Sequence, residues 1–515
     1  MDRSTNTIDI VGDRYGRYLT YYARVGRTVI FAGQIKAILA TGLIPATLNE
    51  DALGLMMLIG EVVGEMTLFD GIFAIPSAAI ARIDSKGLGV RKYWHYKFAP
   101  KSGLEFTKSA ERAGALLRQG VSRVCVSHAR LGVPLSGGLD SRVLLASCPN
   151  PSQIRSYTWG IKGCRDLRYA RRVAMALQSP HDDFEYDPNY LEGLANQGVW
   201  LTEGLCDVAD MHVLPYVQYV GSQTPVILDG FAGDVLLGGN FIKHDWWKAT
   251  STSAAAIALW QWRFGMMPPD LGVLLLGQSR YRSLLERSRS LWLASFERYA
   301  SDDSMSSAMG FLHDNRMRRC SSGGTHLFRW RAELHSPFYD NELFDHIANV
   351  PHAWRHRHRL YIEMIRRSFP STAGIPWQRT GLPARTRWPG RFLSAGAHRL
   401  NEWAGANLRF PDVFASRHVC RLDLWFRGPL RPFIQRILLS ESFLSRGIAL
   451  PDGVRMVLRN HHEGANHTKL IGVLVALELF HRLFVDDFTA SIGKFGFETE
   501  CLDRPTDSLQ LKSTE

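Results

Sequence analysis

Val133-Pro-Leu-Ser-Gly-Gly-Leu-Asp-Ser141 decides how the rest of this chain is read. Val133 and Leu135 close an apolar strand, Ser136, Gly137 and Gly138 make a turn, and Asp140 and Ser141 open a helix that continues through Val143, Leu144, Leu145 and Ala146. A helix start carries about half a positive charge and several N–H groups without partners. Glycines let a phosphate approach that backbone closely, and the hydroxyls of Ser136 and Ser141 add donors. Asp140 would repel a bare phosphate, so its presence implies a divalent cation between the two. An ordinary strand-to-helix turn accounts for a lone Gly-Gly. The full Ser-Gly-Gly-Leu-Asp-Ser is more specific and points to nucleotide binding. It is not a Walker loop, since no Gly-x-x-x-x-Gly-Lys-Ser/Thr occurs.

Outward from this stretch, residues 107–122 predict a helix, with Ala110, Ala113, Leu116 and Leu117 among its apolar positions. Residues 154–160 form an apolar-polar run ending in glycine, followed by a helical pattern with Ala170, Val173, Ala174 and Leu177. Strand, helix, strand, helix in this order predicts a parallel sheet with flanking helices. Val226, Ile227 and Leu228 make a further short buried strand, which runs into Asp229-Gly-Phe-Ala-Gly-Asp-Val-Leu-Leu-Gly-Gly239. Ligands of open parallel sheets sit at the carboxyl ends of strands. Asp234 then supplies a second carboxylate, which with Asp140 could hold Mg²⁺. A glycine-rich turn capped by two aspartates is the plainer reading, and the pairing with the first loop favours the functional one. Beyond residue 240 the chain turns mostly helical.

Residues 1–100 read as a small α+β unit. Residues 18–22 and 28–31 predict paired strands around Arg24-Val-Gly-Arg27, residues 34–40 a helix, and Asn49 the N-cap of another. The chain has 515 residues, 45% hydrophobic and 21% charged, which suits a soluble globular protein of two to three domains. Its net charge of +12 favours anionic partners such as nucleotide phosphates or an acidic peptide. The basic residues are scattered, so no nucleic-acid partner is expected. Seven cysteines without a Cys-x-x-Cys pair argue for reduced thiols and a cytoplasmic location. No signal peptide follows Met1, and the most apolar run, residues 470–480, contains Glu478 and is too short to span a membrane.

The loop at 133–141 resembles the pyrophosphate-binding loop of ATP pyrophosphatases, and most of all that of the asparagine synthetase family, which includes β-lactam synthetases and lasso-peptide cyclases. The resemblance implies ATP contacts from Leu135, Ser136, Gly137, Gly138, Leu139, Asp140, Ser141, Thr158, Asp229 and Gly230, and Mg²⁺ ligation by Asp140 and Asp234. Residues 229–239 look like the family's Ser-Gly-Glu-Gly-Ala-Asp-Glu-x-x-x-Gly-Gly. Gly230, Asp234, Gly238 and Gly239 match, while Asp229 replaces the serine, Phe231 the first glutamate and Val235 the second. β-Lactam synthetases carry tyrosine where Phe231 stands. Phe231 can neither bind an anion nor move a proton, which argues against aspartate as the substrate. Glu333-Leu-His-Ser-Pro-Phe-Tyr-Asp340 resembles Glu-Val-Arg-x-Pro-Phe-x-Asp, which implies a catalytic role for Glu333 and puts His335 in place of the arginine. Residues 375–383 resemble the segment carrying the family's catalytic lysine, which falls here on Arg379. Arginine can stabilise negative charge but cannot shuttle a proton. Residues 470–480 resemble the closing amphipathic helix and read as core packing.

Asp13-Arg-Tyr-Gly16, Leu19-Thr-Tyr-Tyr22 and residues 31–39 look like the second half of the family's glutaminase domain, and residues 67–72 and Tyr93-Trp94 like the passage leading to its synthetase domain. The family's nucleophile there is a cysteine directly after the initiator methionine; here that position is Asp2. Without an activated thiol the domain cannot hydrolyse glutamine. Either the reading frame is shortened or the amine comes from elsewhere. The resemblance thus implies a truncated glutaminase-like α+β unit over residues 1–100, an α/β synthetase domain with a mostly helical C-terminal part over 101–490, and a polar tail over 491–515. It implies an ATP-dependent, AMP-forming amide ligase acting on a small-molecule carboxylate or a precursor peptide, with a possible separate amine donor. A non-catalytic nucleotide-binding homologue is the reading from another class. Oligomeric state is open.

Overall fold

The computed structural model describes residues 4–242, 249–386 and 418–496. The N-terminal unit holds two three-stranded antiparallel sheets. In one, β1 (Ile8–Val11) pairs with β5 (Ala79–Asp84), which pairs with β6 (Gly87–Lys92). In the other, β2 (Tyr21–Val25) lies between β3 (Thr28–Ala32) and β4 (Ile72–Ala74). The hairpin predicted around residue 26 is present, but its first strand starts three residues later than the apolar pattern suggests. Asp13 explains the delay: its carboxylate accepts from the amides of Tyr15, Arg17 and Tyr18, so that backbone is held in a turn and unavailable to a ladder. Two helices follow, α1 (Ile35–Leu39) and α2 (Glu50–Ile59); Asn49 caps α2 by accepting from the Ala52 amide at 3.0 Å.

α3 (Phe106–Ser127) leads into a five-stranded sheet in which every neighbouring pair is parallel. The chain runs β7 (Leu131–Pro134), α4 (Asp140–Ser147), β8 (Arg155–Gly160), α5 (Arg165–Leu177), β9 (His181–Glu185), α6 (Tyr190–Thr202), α7 (Leu214–Gln223), β10 (Val226–Leu228), α8 (Gly233–Leu236) and, later, β11 (Glu333–His335). The order in the sheet is β11-β10-β7-β8-β9. The first three strands therefore march one way, and β10 then returns to the opposite side of β7. That reversal opens a crevice between the carboxyl ends of β7 and β10. The edge strands β9 and β11 escape sequence reading because they are short, polar and paired on one side only. The central strands are buried on both faces, with Val133, Tyr157, Ile227 and Leu228 fully enclosed.

One apolar core runs through the N-terminal unit and the parallel sheet without a break. Arg17 and Lys36 of the first unit reach Asp229 and Glu203 of the second. The segment expected to be a closing helix packed in the core forms one (Thr468–His481), though it is buried all round rather than on one face. Every residue from Leu470 to Phe480 is buried, because neighbours cover it on all sides. Glu478 is included, fully enclosed, and it accepts from Arg446 Nε and Arg482 Nε at 2.6 Å each and from Ser442 Oγ at 2.9 Å. Removing one partner of a buried ion pair strands the other. Glu478→Ala is therefore expected to destabilise the chain by about 3 kcal/mol in urea unfolding; a change below a third of that would show that water replaces the carboxylate.

The expected tail starts later than residue 491, since a helix (Phe488–Phe495) continues through it and Trp200 Nε1 donates to the Gly496 carbonyl at 3.0 Å. The rest of that tail and Asp2 lie outside the described residues. The six described cysteines are unpaired thiols, and no described helix is long and apolar enough to cross a membrane.

Candidate active site

The crevice at the reversal point brings two loops together. Asp140 is the first residue of α4, and Asp234 lies in the first turn of α8. The Asp234 amide donates to Asp140 Oδ2 at 3.1 Å, and Tyr361 OH donates to Asp140 Oδ1 at 2.7 Å. Glycine makes this approach possible. A Cβ on Gly233 would sit 2.7 Å from the Asp140 carboxyl, and one on Gly230 would sit 3.1 Å from Asp140 Cβ. The two carboxylates predicted from separate strand ends thus share one place.

Their electrostatic settings differ. Burial, then the charge of Asp234, pushes the Asp140 carboxyl up to about 7. Burial would raise Asp234 too, but the hydrogen bond and charge of His358, with Arg379, hold it below the usual carboxylate range. His358 Nε2 bonds Asp234 Oδ1, and Arg379 Nη2 reaches Asp234 Oδ2 at 3.3 Å while its Nη1 lies 3.2 Å from His358. Arg357 and His358 both adopt left-handed backbone, with φ of 54° and 64°. Two such non-glycine residues in a row store strain, which surrounding structure must hold. Here the His358 amide donates to the Gly238 carbonyl at 3.1 Å and its ring packs on Trp377.

The nucleotide loop is braced from beneath. Arg142, fully buried in the first turn of α4, donates to the carbonyls of Gly137, Gly138, Ile375 and Pro376 at 2.7–2.9 Å and to that of Thr372 at 3.4 Å. The Gln378 amide adds a bond to the Gly137 carbonyl at 2.9 Å. Asp166, pushed up to about 6 by burial, accepts from the Gly137 amide at 3.0 Å. Ser141 Oγ accepts from the Ser136 amide at 2.9 Å and lies 3.0 Å from Ser136 Oγ. The buried Thr158 hydroxyl donates to the Leu135 carbonyl at 2.6 Å, which fixes the start of the loop. Leu135 and Leu139 side chains are core.

Two expectations need correction. Glu333, expected to be catalytic, does not join the carboxylate pair. It pairs in register with Val226 at the amino end of β10, and its carboxylate meets His335 and His128 instead. A three-residue edge strand that begins at Glu333 leaves that side chain at the wrong end of the sheet. Asp229, expected to touch ATP, turns its side chain away. Its oxygens accept from Arg17 Nη2 at 3.3 Å and the Phe231 amide at 3.4 Å, and burial raises its pKa. Tyr361, His358, Arg142 and Asp166 went unread. A charge directly before the apolar run at residues 143–146 was the one available signal, for Arg142; nothing in the sequence marks the others.

A recessed Asp140 whose proton affinity is raised by a second acid fits a divalent cation, which would be held by Asp140 and Asp234. Oxygen donors of this kind suit Mg²⁺. The hydroxyls, glycines and helix start at 136–141 suit an anion such as a polyphosphate.

A family model described as asparagine synthase matches residues 112–371, half of the chain, and one described as a glutamine amidotransferase domain matches residues 1–94. The chain is 24% identical over 246 residues to the Methanocaldococcus jannaschii protein named "Putative asparagine synthetase (glutamine-hydrolyzing) 2", covering 46% of this chain and 48% of that one. It is 30% identical over 146 residues to asparagine synthetase (glutamine-hydrolyzing) 3 of Bacillus subtilis, covering 28% and 24%. The chain thus spans less than half the length of these curated relatives. With its parallel sheet, its paired aspartates at the reversal point and a family match over half its length, the chain belongs to the asparagine synthase family.

Proposed function

We propose that this protein is an ATP-dependent amide-forming ligase. It adenylates a substrate carboxylate, releases pyrophosphate, and passes the acyl group to an amine with AMP as the other product. The observation that most supports this reading is the convergence of Asp140 and Asp234, with 3.1 Å between the Asp234 amide and the Asp140 carboxylate. Mg²⁺ held by this pair would neutralise charge on the departing pyrophosphate. Ser136, Ser141 and the start of α4 cradle the outer phosphates. Arg379 is 43% exposed beside Asp234, so it reaches both the pair and an incoming substrate, and it stabilises charge without moving a proton.

Two acceptors fit this chemistry, aspartate or a peptide. Phe231 supports the peptide. Its ring lies 4.1 Å from the Arg17 guanidinium and 6.0 Å from the Tyr339 ring, so no carboxylate or phenol projects from that position. The net charge of +12 suits an acidic peptide. The amine then lies within the substrate or comes from a separate donor. Purified protein with ATP and Mg²⁺ is expected to release AMP and pyrophosphate only with the right carboxylate. Formation of ADP would overturn the mechanism. Aspartate dependence would assign the small-molecule reaction, and dependence on a precursor peptide the tailoring reaction. Tight ATP binding without turnover on any carboxylate would make the chain a non-catalytic homologue.

A further inference from the structure

At the β11 edge of the parallel sheet, His128, Glu333 and His335 converge. His128 directly follows α3, and Glu333 and His335 bound β11, two residues apart and therefore on one face of the strand. Each offers one ligand atom, and these atoms lie within 4.8 Å of one another. Glu333 Oε1 is 2.8 Å from His335 Nε2, and Oε2 is 3.8 Å from His128 Nε2. Among the described residues no other three His, Cys, Asp or Glu side chains meet in this way.

We propose that His128, Glu333 and His335 form a binding site for one divalent transition ion of the zinc type. The surroundings of His128 select one tautomer of the neutral imidazole: Nδ1 lies 3.0 Å from the Val124 carbonyl, and a carbonyl only accepts. Nδ1 carries the proton, so Nε2 presents a lone pair to the cluster, as in metal-binding histidines whose other nitrogen is anchored. His335 Nε2 is shielded from solvent and has no hydrogen-bond partner although Glu333 Oε1 is 2.8 Å away. A cation between them satisfies both atoms. His128 also caps the carboxyl end of a 22-residue helix, where partial negative charge favours a cation. Three ligands around a tetrahedral ion stand about 3.3 Å apart, a spacing the present positions bracket. Glu333, 51% exposed, can make the remaining adjustment and leaves a further position open to water. Two imidazoles and one carboxylate select zinc-like ions over Mg²⁺, which prefers oxygen alone. The ion ties the end of α3 to β11, and the His335 carbonyl of that strand accepts from the Asp229 amide at 2.9 Å. It thereby holds one wall of the crevice in register.

The test is calorimetric titration of the chelator-stripped full chain with ZnCl₂, in excess MgCl₂ so that the aspartate pair is saturated. One equivalent is expected to bind, weakened at least about tenfold in His128→Ala and in His335→Ala. It is expected to persist in Asp234→Asn. CoCl₂ should give visible absorption that the same histidine variants abolish. If the alanine proteins fail to fold, His128→Gln and His335→Gln decide, since they keep the bulk and polarity. Undiminished binding in both histidine variants, loss only in Asp234→Asn, or no zinc bound in large excess overturns the site.

Discussion

Asp140→Asn is expected to lower pyrophosphate release on the order of 10³-fold and, at the same time, to raise the melting temperature of the ligand-free protein. Both effects come from one arrangement. Burial and the neighbouring Asp234 push the Asp140 carboxyl from 3.8 up to about 7. A carboxyl that holds its proton more tightly in the folded state favours folding at low pH. That advantage is lost as pH rises from the unfolded value toward the folded one. The ligand-free protein should therefore lose stability between about pH 4 and 7, by at most about 4 kcal/mol, and less because some solvent reaches the group. Asparagine has no charge to bury, so the variant lacks this loss. Asp234 has the opposite sign, since its contribution is lost only as pH falls below the ordinary carboxylate range. Melting curves of both proteins from pH 5 to 8 without divalent ions should diverge as pH rises, and Mg²⁺ with ATP should close the gap for the wild type alone. Turnover within tenfold of wild type, or a gap that does not grow with pH, would refute the assignment.

Arg142→Met is expected to destabilise the chain by about 3–5 kcal/mol and to raise KM for ATP. Its guanidinium donates to five carbonyls, two from the nucleotide loop and three from residues 372–376. Burial lowers its pKa to about 10, so it stays charged at neutral pH and its removal leaves those carbonyls without donors. Methionine keeps the length and apolar character, which isolates the loss to hydrogen bonding. Arg142→Lys should rescue little, because three donors on one nitrogen cannot reach carbonyls on both segments. Urea unfolding and ATP-dependence of pyrophosphate release measure the two parts. A loss under about 1 kcal/mol would mean the loop holds itself.

The parallel sheet was legible because its central strands are short apolar runs flanked by glycine and by helices of clear period, as at residues 131–147 and 154–177. Its edges were not: the strand His181–Glu185 carries two aspartates, and Glu333–His335 has a single apolar residue. The core packing of residues 470–480 was legible from their apolar run; that every side is covered was not, because such a run does not say which neighbours cover it.

The sequence by itself determined the phosphate-type loop, the two aspartates, the α/β class and the family resemblance, all of them local patterns in which neighbouring residues carry the chemistry. Tertiary structure alone decided which side chains complete the site. Tyr361 and His358 reach the loops from more than a hundred residues away, Arg142 ties its own loop to residues 372–376, Asp229 is drawn off by Arg17, and Glu333 by His335 and the distant His128. Those contacts depend on how the sheet order reverses and on what packs beneath it, which no spacing along the chain encodes.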